Sequence, residues 1–218
     1  MPTDYDAYLF DLDGTLVDTA PDIMKGLNYA LAQAGFDPVG ESLTRHWVGH
    51  GARVLIERAL EHYGEAAIDE TAMAVMVQDF IDHYAEHIAD DSLPYPGVVE
   101  TLERLNADGK RLGVVTNKAI RLSRLLLSTL DLKRFFGIVV GGDTMQVSKP
   151  AAEPALYAIN ELNVTPERTL FVGDAATDVG CARAAGCPVV CFRDGYNQGI
   201  DPETLGADRV IDSLRDLV

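Results

Sequence analysis

Four short clusters carry the side chains able to do chemistry. Asp11 and Asp13 end an apolar run and lead into Gly14. Thr116 and Asn117 close the segment Val-Val-Thr-Asn, and Lys149 stands in Ser-Lys-Pro at 148–150. Asp174 follows Gly173, and Asp178 lies one helical turn further on. Residues i and i+2 of a strand project to the same side, so Asp11 and Asp13 are expected to leave a sheet together. Two bare carboxylates a few ångströms apart repel by about 4 kcal/mol at an effective dielectric of ~20. The pair therefore requires a cation or a shared proton. Acids, a hydroxyl and one lysine suit transfer of a phosphoryl group beside a hard cation. Mg²⁺ takes oxygen ligands and keeps several waters, so two or three carboxylates are enough for it.

The elements that must position these residues follow from the hydrophobic pattern. Residues 7–12 read as a buried parallel strand. Helices are predicted over 22–34, opened by Pro21 and stopped by Gly35, over 52–63, closed by Gly64, and over 70–89. Leu-Pro-Tyr-Pro-Gly at 93–97 marks a turn or hinge. Beyond it, helices at 98–107, 121–130, 155–162 and 177–185 alternate with strands at 112–115, 138–140, 169–172, 189–192 and 209–211. A short helix over 213–217 closes the chain. This alternation predicts an α/β fold, a doubly wound parallel sheet with helices on both faces. Residues 16–95 form an inserted helical cap, and 1–15 with 96–218 form the core. Every cluster lies at or just past the carboxyl end of a strand, the edge where open α/β sheets bind ligands.

Composition narrows the partners. The chain has 218 residues, 47% hydrophobic and 24% charged, which suits a soluble globular protein with a substantial core. A net charge of -16 argues against nucleic acid and anionic membranes, which attract basic stripes. An anionic substrate would need local positive charge or a bound metal. There is no apolar run long enough to span a bilayer. Asp4 and Asp6 are the first charges and no Lys or Arg precedes Lys25, so no secretory signal is expected and the cytoplasm is the expected compartment. Cys181, Cys187 and Cys191 are expected to be buried free thiols. All five histidines fall in the helical block, and His83 and His87 read as a surface pair at i, i+4.

Asp-Leu-Asp-Gly-Thr at 11–15, Val-Thr-Asn at 115–117, Lys-Pro at 149–150 and Gly-Asp-x-x-x-Asp at 173–178 resemble, in order, the four motifs of the haloacid dehalogenase superfamily. With the helical block between the first and second motifs, the resemblance covers essentially the whole chain. It implies a Rossmann-like core and a Mg²⁺-dependent phosphomonoesterase acting on a small phosphorylated metabolite, as monomer or homodimer. By the same resemblance Asp11 is the nucleophile that forms an aspartyl-phosphate. Asp13 protonates the leaving alkoxide and later activates water. Thr116 and the backbone at Asn117 hold phosphoryl oxygens, and Lys149 offsets charge. Asp11, Asp174 and the backbone carbonyl of Asp13 ligate the metal. Asp178 holds Lys149 or a metal-bound water. The dehalogenase branch lacks an acid at the position of Asp13, and the phosphonate hydrolases need a cap lysine where only Lys25 is available. Phosphatase or phosphomutase remain.

Arg-His-Trp-Val-Gly-His-Gly-Ala-Arg at 45–53 is similar to the cap loop of bacterial phosphoglycolate phosphatases. Pro-Tyr-Pro-Gly at 94–97, Gly-Gly-Asp-Thr at 141–144 and Gly-Tyr-Asn-x-Gly at 195–199 resemble the same group. This implies hydrolysis of 2-phosphoglycolate to glycolate and phosphate. Gly49 and Gly51 would let the loop approach the site, and His50 or Arg53 would meet a second anionic group. Lys25, Arg45 and Arg58 are further cations of the block. Ala152, Ala175 and Thr177 depart from the group's usual Pro, Ser and Asn but leave the charged groups intact. Close alternatives are a sugar-phosphate phosphatase, such as one for N-acetylmuramate 6-phosphate, and a β-phosphoglucomutase-like phosphomutase. A phosphoacceptor signalling module is the non-enzymatic reading. Its acceptor lies on a different strand from its acidic pair, and it has no large insertion.

Overall fold

Ala7–Phe10 (β1) is apolar and fully buried, and it lies inside a six-stranded sheet in the computed structural model, which describes residues 5–65 and 68–218. The chain leaves through Val17–Asp18 (β2) into four helices, Ala20–Gln33 (α1), Glu41–Trp47 (α2), Ala52–His62 (α3) and Glu70–Glu86 (α4). It returns through Leu93–Pro94 (β3), which pairs antiparallel with β2. Strands and helices then alternate: Val98–Ala107 (α5), Arg111–Val115 (β4), Ile120–Thr129 (α6), Ile138–Val140 (β5) and Glu153–Glu161 (α7). Thr169–Gly173 (β6), Ala176–Ala185 (α8), Val189–Phe192 (β7) and Arg209–Ile211 (β8) follow, with a closing 3-10 turn at Leu214–Leu217.

The sheet order is β5-β4-β1-β6-β7-β8, and every pairing in it is parallel. This is the doubly wound α/β architecture expected of the alternation. Successive side chains of a strand face opposite sides. Accordingly Tyr8 and Phe10 enter one apolar cluster and Leu9 the other. The first cluster continues into the helical block through Leu27, Ile56 and Phe80. The second holds Phe171, Ile159 and two of the three cysteines, Cys181 and Cys187; all three thiols are buried and free. Register sets the site, because Phe10 lies opposite both Val114 and Val172. The chain therefore leaves β1, β4 and β6 at one level, carrying Asp11, Thr116 and Asp174.

The first strand is shorter than its apolar run. Asp11 still donates its N–H to Val172 at 2.9 Å, but the Leu12 carbonyl turns to accept from Leu16 and Val17, both at 3.0 Å. Gly14 takes φ +87°, a conformation in which an L side chain is strained. Asp11 and Asp13 are thus brought together by a tight turn and not by strand alternation. In the helical block α2 was not expected, and α4 stops at Glu86 instead of reaching residue 89.

The block is anchored at its entrance. The buried carboxylate of Asp22, in the first turn of α1, accepts from Asp91 N (2.9 Å), Ser92 N (2.8 Å) and Ser92 Oγ (2.7 Å). This ties the outgoing connection to the returning one. Among the described residues, no helix is long and apolar enough to cross a membrane.

Candidate active site

Asp11, Asp174 and Asp178 are buried, and each offers a carboxylate oxygen within 4.8 Å of the others. Lys149 Nζ stands between two of them, 2.8 Å from Asp11 Oδ1 and 2.6 Å from Asp178 Oδ1. Burial raises the pKa of Asp11 to about 6, with Asp178 and Asp13 adding to the rise and Lys149 opposing it. Asp174 is also raised well above the usual carboxylate value, by burial first and then by Asp178 and Asp11. Burial works against the charge on Lys149, but Asp11 and Asp178 overcome it and raise its pKa. Three carboxylates against one ammonium leave a local deficit of positive charge.

The three acids are held differently. Asp178 is fully committed: Oδ1 accepts from Lys149, and Oδ2 accepts the backbone N–H groups of Asp174 (3.1 Å) and Ala175 (3.0 Å) at the start of α8. Asp174 accepts from Thr15 Oγ1 and from Tyr196 N. Space around it is tight, since a Cβ on Gly195 would lie 2.2 Å from the Asp174 Cβ. Asp11 Oδ1 is buried and, among the described residues, receives no aligned hydrogen bond, only the Lys149 ion pair. Oxygen donors alone, excess negative charge and an oxygen lacking a donor fit a hard divalent cation between Asp11 and Asp174.

Asp13 belongs to a second cluster. It accepts from Thr19 Oγ1 at 2.8 Å and from Lys118 Nζ at 2.9 and 3.2 Å. Lys118 is buried and also donates to Tyr84 Oη of α4 at 2.8 Å. Burial pushes the Tyr84 phenol up to about 12, so it stays neutral. Nothing in the local sequence singled out Lys118 beyond its place directly after Thr116 and Asn117. Its partners lie far away in the chain.

A cavity of about 170 Å³ opens between sheet edge and helical block, lined by Asp11, Asp13, Thr116, Asn117 and Lys118 below. Gly49, Leu55, Phe80, Ile81 and Tyr84 line it from the block. The Asn117 carboxamide bridges the two sides: Nδ2 donates to Gly49 O (2.9 Å) and Lys149 O (3.1 Å), and Oδ1 accepts from Lys149 N (3.0 Å). Gly49 and Gly51 line the cavity with φ of +121° and +87°.

The cations expected from the helical block do not reach it. Arg53 turns outward to Glu57 and Glu70, each at 2.8 Å, and His50 is exposed; neither lines the cavity. Lys25 pairs with Asp22 and Asp91, and Arg45 with Asp18 and Glu41. Arg58 donates to the carbonyls of His46 and Trp47. Acids nearby in space hold Lys25, Arg45 and Arg53 away from the cavity. Among the described residues that line the cavity, Lys118 is the cation.

The profile of the haloacid dehalogenase-like hydrolases matches residues 8–192. The chain belongs to this family. A phosphoglycolate phosphatase of Caulobacter vibrioides is 44% identical over 95% of this chain and 87% of its own length. Another, of Nitrosococcus oceani, is 40% identical over 94% and 92%. The crystal structure of a predicted phosphoglycolate phosphatase from Haemophilus somnus superposes with a TM-score of 0.93 at 34% identity, covering 100% of this chain and 97% of that one. The hydrolase family is thus supported by sequence across the sheet and the inserted helices alike.

Proposed function

We propose that the chain is a Mg²⁺-dependent phosphomonoesterase that converts 2-phosphoglycolate to glycolate and phosphate through an aspartyl-phosphate on Asp11. The observation that carries this reading is the placement of Asp11 and Asp13 on one cavity wall, each beside its own buried lysine. Asp11 attacks phosphorus in line as the bond to the leaving oxygen breaks. Asp13 gives that oxygen its proton, so the product leaves as an alcohol and not as an alkoxide. The Asp13 carboxylate then takes a proton from the water that attacks the acyl phosphate, which frees phosphate and restores Asp11. Thr116 Oγ1 and the backbone beyond it donate to phosphoryl oxygens, and Lys149 offsets charge on nucleophile and phosphate. Asp178 keeps Lys149 in place. Asp11, Asp174 and the main-chain carbonyl of Asp13 would hold Mg²⁺, which supplies Lewis-acid neutralisation of the phosphoryl oxygens.

The substrate assignment is supported by the small cavity and by the phosphoglycolate phosphatases that the chain resembles. Residues 16–95 act in this reading as a cap over the core of 1–15 and 96–218, with the β2–β3 ribbon as its attachment. Phosphate release from 2-phosphoglycolate, N-acetylmuramate 6-phosphate and β-glucose 1-phosphate, with and without Mg²⁺, tests the proposal. Mg²⁺-dependent release with a clear preference for 2-phosphoglycolate is expected. Preference for a sugar phosphate, or isomerisation without release, overturns it.

A further inference from the structure

We propose that Lys118 is the specificity-determining residue of this site: its ammonium pairs with a carboxylate on the carbon next to the ester oxygen of the substrate. The inference rests on the phosphomonoesterase reading and deepens it, giving the substrate class as phosphate esters of short 2-hydroxy acids.

A buried ammonium is costly unless it is paired. Lys118 is buried, faces the cavity and already holds Asp13 and the Tyr84 hydroxyl. The other lysine of the site, Lys149, is enclosed between Asp11 and Asp178. The cations of the helical block are engaged outside the cavity. A second negative charge on the substrate therefore meets Lys118.

The spacing agrees. Asp13 delivers the proton to the leaving oxygen, and Lys118 Nζ lies 2.9 and 3.2 Å from its two carboxylate oxygens. In a 2-hydroxy acid ester, two carbons separate the ester oxygen from the nearest carboxylate oxygen, a span on the order of 3 Å from ordinary bond lengths. An acid seated at the first oxygen thus has a cation at the second. When Asp13 turns to the leaving oxygen, an N–H of Lys118 becomes free for the carboxylate while Tyr84 Oη keeps the head in place. Leu55, Phe80, Ile81 and Leu122 complete the wall. They lower the local dielectric and so strengthen the pair. These four side chains offer no hydrogen bond to the hydroxyls of a sugar.

The test compares kcat/KM for 2-phosphoglycolate and for 2-hydroxyethyl phosphate, in which CH₂OH replaces the carboxylate, in wild type, Lys118→Met and Lys118→Arg. Wild type is expected to prefer 2-phosphoglycolate by about 100-fold, the scale of a buried charge pair. In Lys118→Met that ratio collapses to within about threefold, whatever both rates lose because Asp13 lacks its partner. Lys118→Arg retains most of the preference. Equal slowing of both substrates in Lys118→Met, with the ratio kept, makes Lys118 a positioning residue only and overturns the inference while leaving the proposed function standing. Should Lys118→Met not fold, the wild-type ratio and Lys118→Arg decide: a wild-type preference below about tenfold, or loss of the preference in the arginine variant, overturns it. Phosphate release from other esters with none from 2-phosphoglycolate overturns the proposed substrate and this inference together.

Discussion

At the sheet edge, three buried carboxylates crowd Lys149, whereas in the helical block Lys25, Arg45 and Arg53 each meet two carboxylates while partly exposed. The first arrangement is unbalanced and dry, so its charges interact strongly and leave a demand that a cation and a phosphoryl group can meet. The second also has more carboxylates than cations, but most of them are wet, and such solvent-screened pairs contribute little to stability. Excess charge held out of water is the mark of the reactive region here, and number of charges alone is not.

The widest gap between the two regions is expected in turnover. Asp11→Asn should lower kcat by at least about 10⁴-fold, measured as phosphate release, because an amide cannot accept the phosphoryl group. A smaller loss would break the contrast at its centre. The same residue should carry a pH signature. Its folded pKa of about 6 lies above the ordinary 3.8, so its contribution to stability is fully present below pH 4 and is lost as pH rises through 6. In metal-chelated protein thermal melts between pH 4 and 7 would show that loss, and Asp11→Asn would reduce it, leaving the part that belongs to Asp174. Added Mg²⁺ should restore the lost stability in wild type alone.

Within the helical block the exception is Asp22, whose buried carboxylate collects three donors from the returning connection. Asp22→Ala strands those donors and should cost about 2–4 kcal/mol in a denaturant titration. A cost under 1 kcal/mol would erase the distinction between this acid and its exposed neighbours. At the other extreme, Arg53→Ala removes only pairs with Glu57 and Glu70. Its kcat/KM for 2-phosphoglycolate is expected to stay within about twofold of wild type; a tenfold loss would return Arg53 to the binding site.

The same contrast governs how much could be read from the chain. Strand-and-helix alternation after residue 98 was legible because each apolar run is short and each is followed by polar residues; α5, β5, β7 and β8 match their predicted bounds. Asp11, Thr116 and Asp174 stood out because they interrupt that pattern at strand ends, and Lys149 because it stands in the loop beyond β5. In the helical block the pattern says less. Glu41–Trp47 is short and mostly polar, so its helix carried no apolar stripe to detect. The direction of Arg53 depends on Glu70, seventeen positions on, and local spacing gives no sign of it. Lys118 was missed for a like reason: Asp13 and Tyr84 lie 105 and 34 positions away, so only the assembled fold shows what the lysine holds.

The β2–β3 ribbon has a consequence for how such a chain can change over time. Val17 pairs with Pro94 and Asp18 with Leu93, so the points where the chain departs from the sheet and rejoins it are direct neighbours. The backbone from Thr19 to Ser92 consequently departs and returns at one seam. It can lengthen or shorten without moving one sheet strand against another, so Asp11, Thr116 and Asp174 stay in register while the wall facing the organic part of the substrate is rebuilt.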